Sequence, residues 1–351
     1  MSTIYIVDQG SYLTKKNERL IVKKEDSIIR WIHLKDIDQL ILIGNISLTA
    51  PVITYLLKHK VDTVFLSYYG KYKGRLISEF GKNVNLRHQQ FNYLSDESQA
   101  LILSKTFVTG KIKNCLNLLR KNQYRNPDPL VASKIMKINY YLENEVPFAD
   151  DMDKLRGFEG IVAKDYFSVF QLFIKNNDFV FNGRTRRPPR DEVNALLSLS
   201  YTMLMNLILS KAYVAGLDPF YGALHEISYG RHSLVLDLME EFRPMIDNMV
   251  INLINRREIR KDHFIIRIFN EEETFKETDE LDSKNLPVFL TNDGMRKVVV
   301  SFNSLTKKTY FYKRRNCNLS FEDIIKAQLY LLADCFQAKD KYTSFNWSEG
   351  V

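Results

Sequence analysis

The hydrophobic pattern of this chain changes its period once, near residue 84, and that change limits the folds open to it. Before residue 84, short β-branched runs alternate with polar turns, which is typical of strands. One helix is expected at 50–60, between the fourth and fifth of these runs. The predicted strands lie at 3–7, 19–22, 27–32, 39–43, 63–66 and 74–77.

After residue 84, apolar residues recur at helical spacing. The predicted helices lie at 95–119, 131–142, 151–174, 193–215, 234–256 and 321–335. A strand is possible at 264–268, and the polar last fifteen or so residues are expected to be disordered. The pattern predicts an α+β fold: a small N-terminal β-rich domain at 1–83, followed by a larger, mainly α-helical domain at 84–351.

The composition limits the partners and the cellular setting. Lys and Arg number 50 against 42 acids, a net charge of +8 that suits a polyanionic partner such as nucleic acid or a membrane surface. The three cysteines are widely spaced and form no CxxC pair, which argues against a zinc ribbon or a disulfide framework and favours a reducing cytoplasm. The first ten residues do not resemble a signal peptide, and we expect no apolar run to reach membrane-spanning length. We therefore predict no membrane partner.

The segment from Gly216 to Pro244 joins a turn to His225 and then to an apolar, helix-compatible run. On a helix, Asp237, Glu240 and Glu241 would share one face. Carboxylates with one imidazole suit Mg²⁺ or Mn²⁺ better than the sulfur-rich sites of zinc. An alternative has about equal weight: His225 is a core histidine bonded to backbone, and the acids form a solvated face paired with Arg243.

Glu159 lies inside a predicted helix with Gly157 and Gly160 on either side of it. Glycine inside a helix costs roughly 1 kcal/mol, so a backbone or ligand that approaches closely would explain the pair. The alternative is a surface glutamate where a helix breaks and restarts.

A second candidate segment, the arginine loop at 182–191, contains four arginines and two consecutive prolines that stiffen the backbone. Arginine pairs bidentately with phosphate, so the loop is a candidate contact with a nucleic-acid backbone. A solvated basic loop is the alternative. The four arginines are Arg184, Arg186, Arg187 and Arg190.

Together these segments resemble the CRISPR-associated integrase family, the metal-dependent nuclease subunit of the spacer-acquisition complex. The resemblance rests on the glycine-flanked Glu159, on the arginine loop continuing through Asp191 and Asn194, and on the segment from Gly216 to Pro244. Motifs at 44–48, 70–75 and 86–89 agree with it, whereas the region after Glu258 matches only loosely.

The resemblance implies a DNA endonuclease and integrase that inserts spacer DNA into a CRISPR array by attack of a 3′-hydroxyl on repeat phosphodiesters. It implies a Mg²⁺ or Mn²⁺ site formed by Glu159, His225 and Glu240, with Asp237 as a further acidic candidate. Arg243 joins the four loop arginines as a candidate DNA contact. The implied partners are double-stranded DNA, a second copy of the chain bound through the β domain, and a small ferredoxin-like subunit.

Two other classes of function stay open at this point. The first is a non-catalytic DNA-binding scaffold that uses the same arginine loop and the same dimer. The second is a basic helical protein without a metal. Metal-dependent cleavage or strand joining that is lost in Glu159→Ala, with DNA binding kept, would separate the enzyme from both.

Overall fold

The computed structural model describes residues 2–25, 27–68, 70, 72–78, 83–185, 188–266, 268–269, 275–276 and 287–347. The chain packs as two compact units. The first unit contains Met1–Phe80, Pro188–Thr202 and Ile259–Asn303; the second contains Gly81–Arg187, Met203–Glu258 and Ser304–Val351. The α+β class, with strands first and helices after them, is confirmed. The division into domains at residue 83 stays a prediction.

The described helices and strands are the following. The helices are α1 (Ala50–Lys58), α2 (Val84–Ser95), α3 (Glu97–Arg125), α4 (Pro129–Tyr140), α5 (Met152–Ser168), α6 (Glu192–Ala215), α7 (Ser233–Asn255), α8 (Asn292–Lys307) and α9 (Phe321–Phe336). The strands are β1 (Ser2–Ile6), β2 (Ser11–Lys16), β3 (Arg19–Lys24), β4 (Ser27–His33), β5 (Ile37–Ile43), β6 (Ile46–Leu48), β7 (Asp62–Leu66), β8 (Tyr72–Leu76), β9 (Phe264–Ile266), β10 (Ile268–Phe269), β11 (Phe275–Lys276), β12 (Val288–Leu290), β13 (Thr309–Tyr312) and β14 (Cys317–Ser320).

The first unit contains two four-stranded sheets, ordered β1-β5-β7-β8 and β4-β3-β2-β6. β1, β5 and β7 run parallel, and β5 is buried along nearly its whole length, as a central parallel strand should be. β2 was not predicted because its sequence, SYLTKK, is too polar to look like a strand. β4 lies at the edge of its sheet and exposes Ile28, Ile29 and Trp31.

The candidate site lies in the second unit, on α5, α7 and the loop that precedes α7, with Lys111 of α3 in contact with its two glutamates. The predicted helix at 95–119 is α3, which begins at Glu97 because Asp96 accepts hydrogen bonds from the backbone N–H groups of Ser98 and Gln99 and so caps it. α3 continues to Arg125, and α2 before it was not predicted. α7 continues through Pro244. A proline has no N–H to donate, so the backbone carbonyl of Glu240 lacks its usual helical donor.

The expectation of a disordered C-terminus is wrong as far as residue 347. Tyr342, Phe345 and Trp347 are buried, and Asn114 of α3 fixes this segment. The Asn114 amide donates to the Phe345 carbonyl (3.0 Å) and accepts from the Trp347 N–H (2.6 Å). Three large aromatic side chains in 342–347 explain the packing, because they outweigh the polar residues between them. Residues 348–351 lie outside the described part of the chain.

One described helix, α6, is long and apolar enough to cross a membrane by length and composition alone. The prediction that no run reaches that length is therefore wrong. In the most apolar window of α6, 83% of the residues are buried inside the protein, as expected of a core helix.

Candidate active site

The carboxylate of Asp237 organises the loop that precedes α7. Its Oδ2 accepts hydrogen bonds from the N–H groups of Ala223 (2.6 Å) and Leu224 (3.1 Å), and its Oδ1 accepts one from His225 (2.9 Å). A Cβ on Gly222 would lie 2.5 Å from Oδ2, so only glycine allows the loop to come this close. The fully buried Asp237 therefore fixes the backbone that carries His225.

The same carboxylate orients the imidazole of His225. The ring Nδ1 lies 2.7 Å from Asp237 Oδ1. Because an ionised carboxylate can only accept, Nδ1 donates the proton, and a neutral ring then presents its Nε2 lone pair. Histidines that bind metals are commonly oriented in this way. Asp237, predicted as a further catalytic acid, thus lies behind His225 and contacts its ring Nδ1.

Glu159 on α5 and Glu240 on α7 meet at one cation, the ammonium of Lys111 on α3. Lys111 Nζ contacts Glu159 Oε1 and lies 2.5 Å from Glu240 Oε2. The guanidinium of Arg243 contacts the other oxygen of Glu240 at 2.9 Å. The side chain of Glu240 is only 4% exposed and that of Lys111 only 10%. The acids of α7 are therefore not the solvated face considered above, although the pairing with Arg243 is as that alternative expected.

The environment keeps Glu240 and Lys111 charged. Burial acts to raise the pKa of Glu240, but Arg243, Lys111 and His225 outweigh it and lower the pKa below its usual range. Burial acts to lower the pKa of Lys111, but Glu240 and Glu159 outweigh it and raise that pKa. The carboxylate of Glu240 is thus held ionised in a buried place, where its charge interacts strongly with any other cation.

Glu159, His225 and Glu240 line one cleft of about 260 Å³. Among the described residues, no three His, Cys, Asp or Glu side chains are already gathered as a metal site. The ammonium of Lys111 lies between the two carboxylates instead. The donors still fit Mg²⁺ or Mn²⁺, because two carboxylates and one imidazole line the same cleft. The metal itself stays a prediction.

Gly157 and Gly160 face open space in the described part of the chain. A Cβ on either residue would meet no described atom within 4 Å. The suggestion that another backbone of the protein approaches them is therefore wrong for the described residues, and the ligand alternative stays open.

Two arginines of the cleft, Arg156 and Arg231, were missed by sequence reasoning. Arg156 donates to the Leu224 carbonyl at 2.9 Å and lies 3.3 Å from Glu226, and both arginines are partly exposed. They are 75 positions apart, so no local cluster marks them as the arginine loop is marked. Their charge suits a phosphate that enters the cleft.

The structure describes three of the five arginines that were predicted to contact DNA. Arg184 is partly exposed and donates to the Thr185 carbonyl at 2.6 Å, and Arg190 is exposed. Arg186 and Arg187 lie outside the described residues. Arg243, at 16% side-chain exposure, is engaged with Glu240. The role of these arginines in DNA binding stays a prediction.

Glu241, next to the site on α7, belongs to the interior. Its carboxyl group accepts hydrogen bonds from the Tyr342 hydroxyl (2.6 Å) and the Phe345 N–H (2.8 Å). Burial raises the pKa of Glu241 to about 8, although these hydrogen bonds and one from Gln328 oppose the shift. Glu241 therefore joins the C-terminal segment to α7 and does not face the cleft.

The raised pKa of Glu241 predicts a pH-dependent stability. Its folded pKa of about 8 exceeds the ordinary 4.5, so the folded state retains a proton that the unfolded state releases. This contribution is complete below pH ~4.5 and is lost as the pH rises to about 8, on the order of a few kcal/mol. In Glu241→Gln, urea unfolding should depend less on pH between 5 and 8. An equal loss in wild type and variant would contradict this.

A larger cavity, of about 350 Å³, lies at the C-terminal turns of α3 and α7 and does not fit metal chemistry. Its walls are mainly amides and cations. Asp128 is its single acid, and that carboxylate already caps α4 through the N–H groups of Leu130 and Val131. The smaller cleft is therefore the candidate active site.

The chain is similar in sequence to curated CRISPR-associated endonucleases. The curated CRISPR-associated endonuclease Cas1 3 of Thermus thermophilus is 35% identical over 267 residues, or 75% of this chain and 77% of that protein. A curated Cas1 endonuclease of Chlorobaculum tepidum is 34% identical over 76% of this chain and 79% of its own length. Both place the chain among the CRISPR-associated endonucleases. The family model "CRISPR associated protein Cas1" matches residues 4–304. The chain belongs to the Cas1 family.

One solved structure has a closely similar fold. A casposase bound to an integration product superposes with a TM-score of 0.81 at 23% identity, covering 100% of this chain and 96% of that one. At this identity the likeness shows the shared fold. It agrees with the α+β architecture described above.

Proposed function

We propose that this chain is the metal-dependent endonuclease and integrase of CRISPR adaptation, which inserts spacer DNA by attack of a DNA 3′-hydroxyl on repeat phosphodiesters. The observation that carries the proposal is geometric: the carboxylates of Glu159 and Glu240 converge on the Lys111 ammonium beside an oriented His225. The names of the curated relatives support endonuclease activity. The matched casposase, bound to an integration product, supports strand transfer on this fold.

The residues divide the work as follows. Glu159, Glu240 and Nε2 of His225 would hold Mg²⁺ or Mn²⁺, which when bound stabilises charge on a phosphoryl oxygen and orients the nucleophile. Asp237 keeps the proton on Nδ1 of His225 and so keeps Nε2 free to bind. Arg156 and Arg231 would neutralise DNA phosphates at the cleft.

The nucleophile is not a side chain of the cleft. Its described lining residues include neither Ser nor Cys, so attack by water or by a DNA 3′-hydroxyl is the chemistry that fits. Hydrolysis and strand transfer then use one site and differ in the attacking oxygen. Strand transfer needs a positioned DNA end, because positioning raises its effective concentration above that of solvent.

We propose protein partners because strand transfer needs a DNA end held in position. A complex of Cas6-RT-Cas1 with Cas2 is a matched structure with a TM-score of 0.78 and 25% identity, covering 98% of this chain and 36% of that longer one. It supports a second protein, which we take to be a small ferredoxin-like subunit. The exposed apolar residues of edge strand β4 support a homodimer through the β-rich region. We place the complex in the cytoplasm.

The experiment that tests the proposal uses the purified chain. Light scattering first determines its mass in solution, and a monomeric mass would contradict the proposed dimer. We expect weak cleavage of duplex DNA with Mn²⁺, none with excess chelator, and efficient joining of DNA ends to a repeat-bearing plasmid once the partner is added. Glu159→Ala should lose both activities and keep DNA binding. A wild type without either activity would instead favour the non-catalytic scaffold.

The arginine loop gives a separate prediction for DNA affinity. Replacing Arg184, Arg186, Arg187 and Arg190 by alanine should weaken binding to every duplex sequence alike, because phosphate contacts carry no sequence information. The slope of log affinity against log salt should flatten by up to about 0.9 for each phosphate that the loop neutralises in the wild type. Fluorescence anisotropy over a range of salt measures both quantities. Unchanged affinity and slope would make the loop a solvated basic loop.

A further inference from the structure

Lys111 is a charged side chain where the packing of α3 would otherwise take an apolar one. It follows Phe107 and precedes Cys115 at intervals of four residues, and both neighbours are buried. Its ammonium reaches out of this apolar stripe to the two carboxylates of the cleft. Burying a lysine is unfavourable unless its charge is paired, so Lys111 and the pair Glu159 and Glu240 depend on one another.

The charges around the cleft are balanced without any bound ion. The carboxylates of Glu159, Glu240, Asp237 and Glu226 face four cations, so the net charge is zero if His225 is neutral; the cations are Lys111, Arg243, Arg156 and Arg231. A divalent cation would leave two net positive charges, which DNA phosphates would neutralise. Without Lys111, the same cation would leave no more than one.

We infer that Lys111 couples the binding of the divalent cation to the binding of DNA, because its ammonium competes for the carboxylates until a phosphate enters the cleft. Lys111 is a positioning residue in this scheme and forms no covalent bond. It keeps Glu159 and Glu240 together in the free protein and weakens their affinity for the cation. The inference rests on the proposed metal-dependent function.

The coupling has a thermodynamic consequence that can be measured without turnover. DNA should raise the affinity for Mn²⁺, and Mn²⁺ should raise the affinity for DNA by the same factor, because linkage is reciprocal. Couplings of this kind commonly amount to about 5- to 150-fold. We expect a factor of roughly ten for the wild-type chain, within this range.

The experiment measures Mn²⁺ affinity by electron paramagnetic resonance of the free ion, with and without a short phosphorothioate duplex. Lys111→Met should bind Mn²⁺ about ten times more tightly than wild type in the absence of DNA, and DNA should then change the affinity by about twofold or less. Lys111→Arg keeps the charge and should keep most of the coupling. Lys134→Met is the matched control, because Lys134 pairs with Asp165 at 2.6 Å and does not line the cleft.

The outcomes separate the inference from the proposed function. A wild type that binds no Mn²⁺ with or without DNA would overturn both. If DNA changed the Mn²⁺ affinity of wild type and of Lys111→Met by the same factor, the inference alone would be overturned. The same holds if Lys134→Met altered the Mn²⁺ affinity and its response to DNA as much as Lys111→Met does. If Lys111→Met does not fold without Mn²⁺, Lys111→Gln, which keeps a neutral hydrogen-bond donor, takes its place under the same criteria.

Discussion

Replacing His225 by alanine should abolish DNA cleavage and strand joining together, each by about a thousandfold or more. The two reactions share one proposed cation site, and the variant removes the only nitrogen donor proposed for it. A thousandfold loss corresponds to about 4 kcal/mol of transition-state stabilisation. Steady-state cleavage of a plasmid and joining of labelled ends in the presence of the partner measure the two activities.

The fold should tolerate this change. The side chain of His225 is partly exposed, and the three backbone N–H bonds to Asp237 remain without it. His232→Ala is the matched control, because that imidazole stacks on Phe220 (4.6 Å between ring centroids) and does not line the cleft. If His225→Ala lost cleavage and still joined ends with the partner present, the two reactions would not share a site.

Replacing Trp347 by alanine should destabilise the second unit by about 3–5 kcal/mol, the usual effect of removing a buried aromatic side chain. Trp347 is 2% exposed and ends the segment that bonds to Asn114 and Glu241. Loss of helical circular dichroism in urea measures the change. Tyr330→Ala on α9 is the control, because Tyr330 is 41% exposed and its loss should cost about 0.5 kcal/mol or less. Equal effects of the two substitutions would show that the segment adds no stability.

The sequence predicted the elements whose apolar period is long and regular. α6, α7 and α9 each begin or end within one residue of the predicted bounds. It missed α8, because Val298, Val299 and Val300 are typical of a strand, and it missed the short strands β2 and β6. Local propensity does not predict these elements, because contacts with residues distant in sequence stabilise them.

The sequence predicted which residues belong to the candidate site. It did not predict which side chains contact one another there. Spacing on α7 suggested that Asp237, Glu240 and Glu241 act as one acidic face. In the structure Asp237 orients His225, Glu240 faces the cleft, and Glu241 binds the C-terminal segment. Glu240 and Glu241 point about 100° apart around the helix. Asp237 lies one turn before Glu241, where the loop that carries His225 packs against α7.

Lys111 was missed although the sequence holds a signal for it. A lysine four residues from Phe107 and four from Cys115 lies on an apolar stripe, where a charge needs a partner. The partner could not be found from sequence, because Glu159 and Glu240 are 48 and 129 positions away. Such distant pairings depend on the packing of α3, α5 and α7.

The most direct test of the account is a crystal of the chain grown with Mn²⁺ and measured at a wavelength where manganese scatters anomalously. The account predicts an anomalous peak bound by Glu159, Glu240 and Nε2 of His225, with oxygen ligands at roughly 2.0–2.3 Å and Lys111 Nζ withdrawn from between the carboxylates. A fully loaded crystal with no peak there, and with the ammonium still joining the two carboxylates, would contradict it.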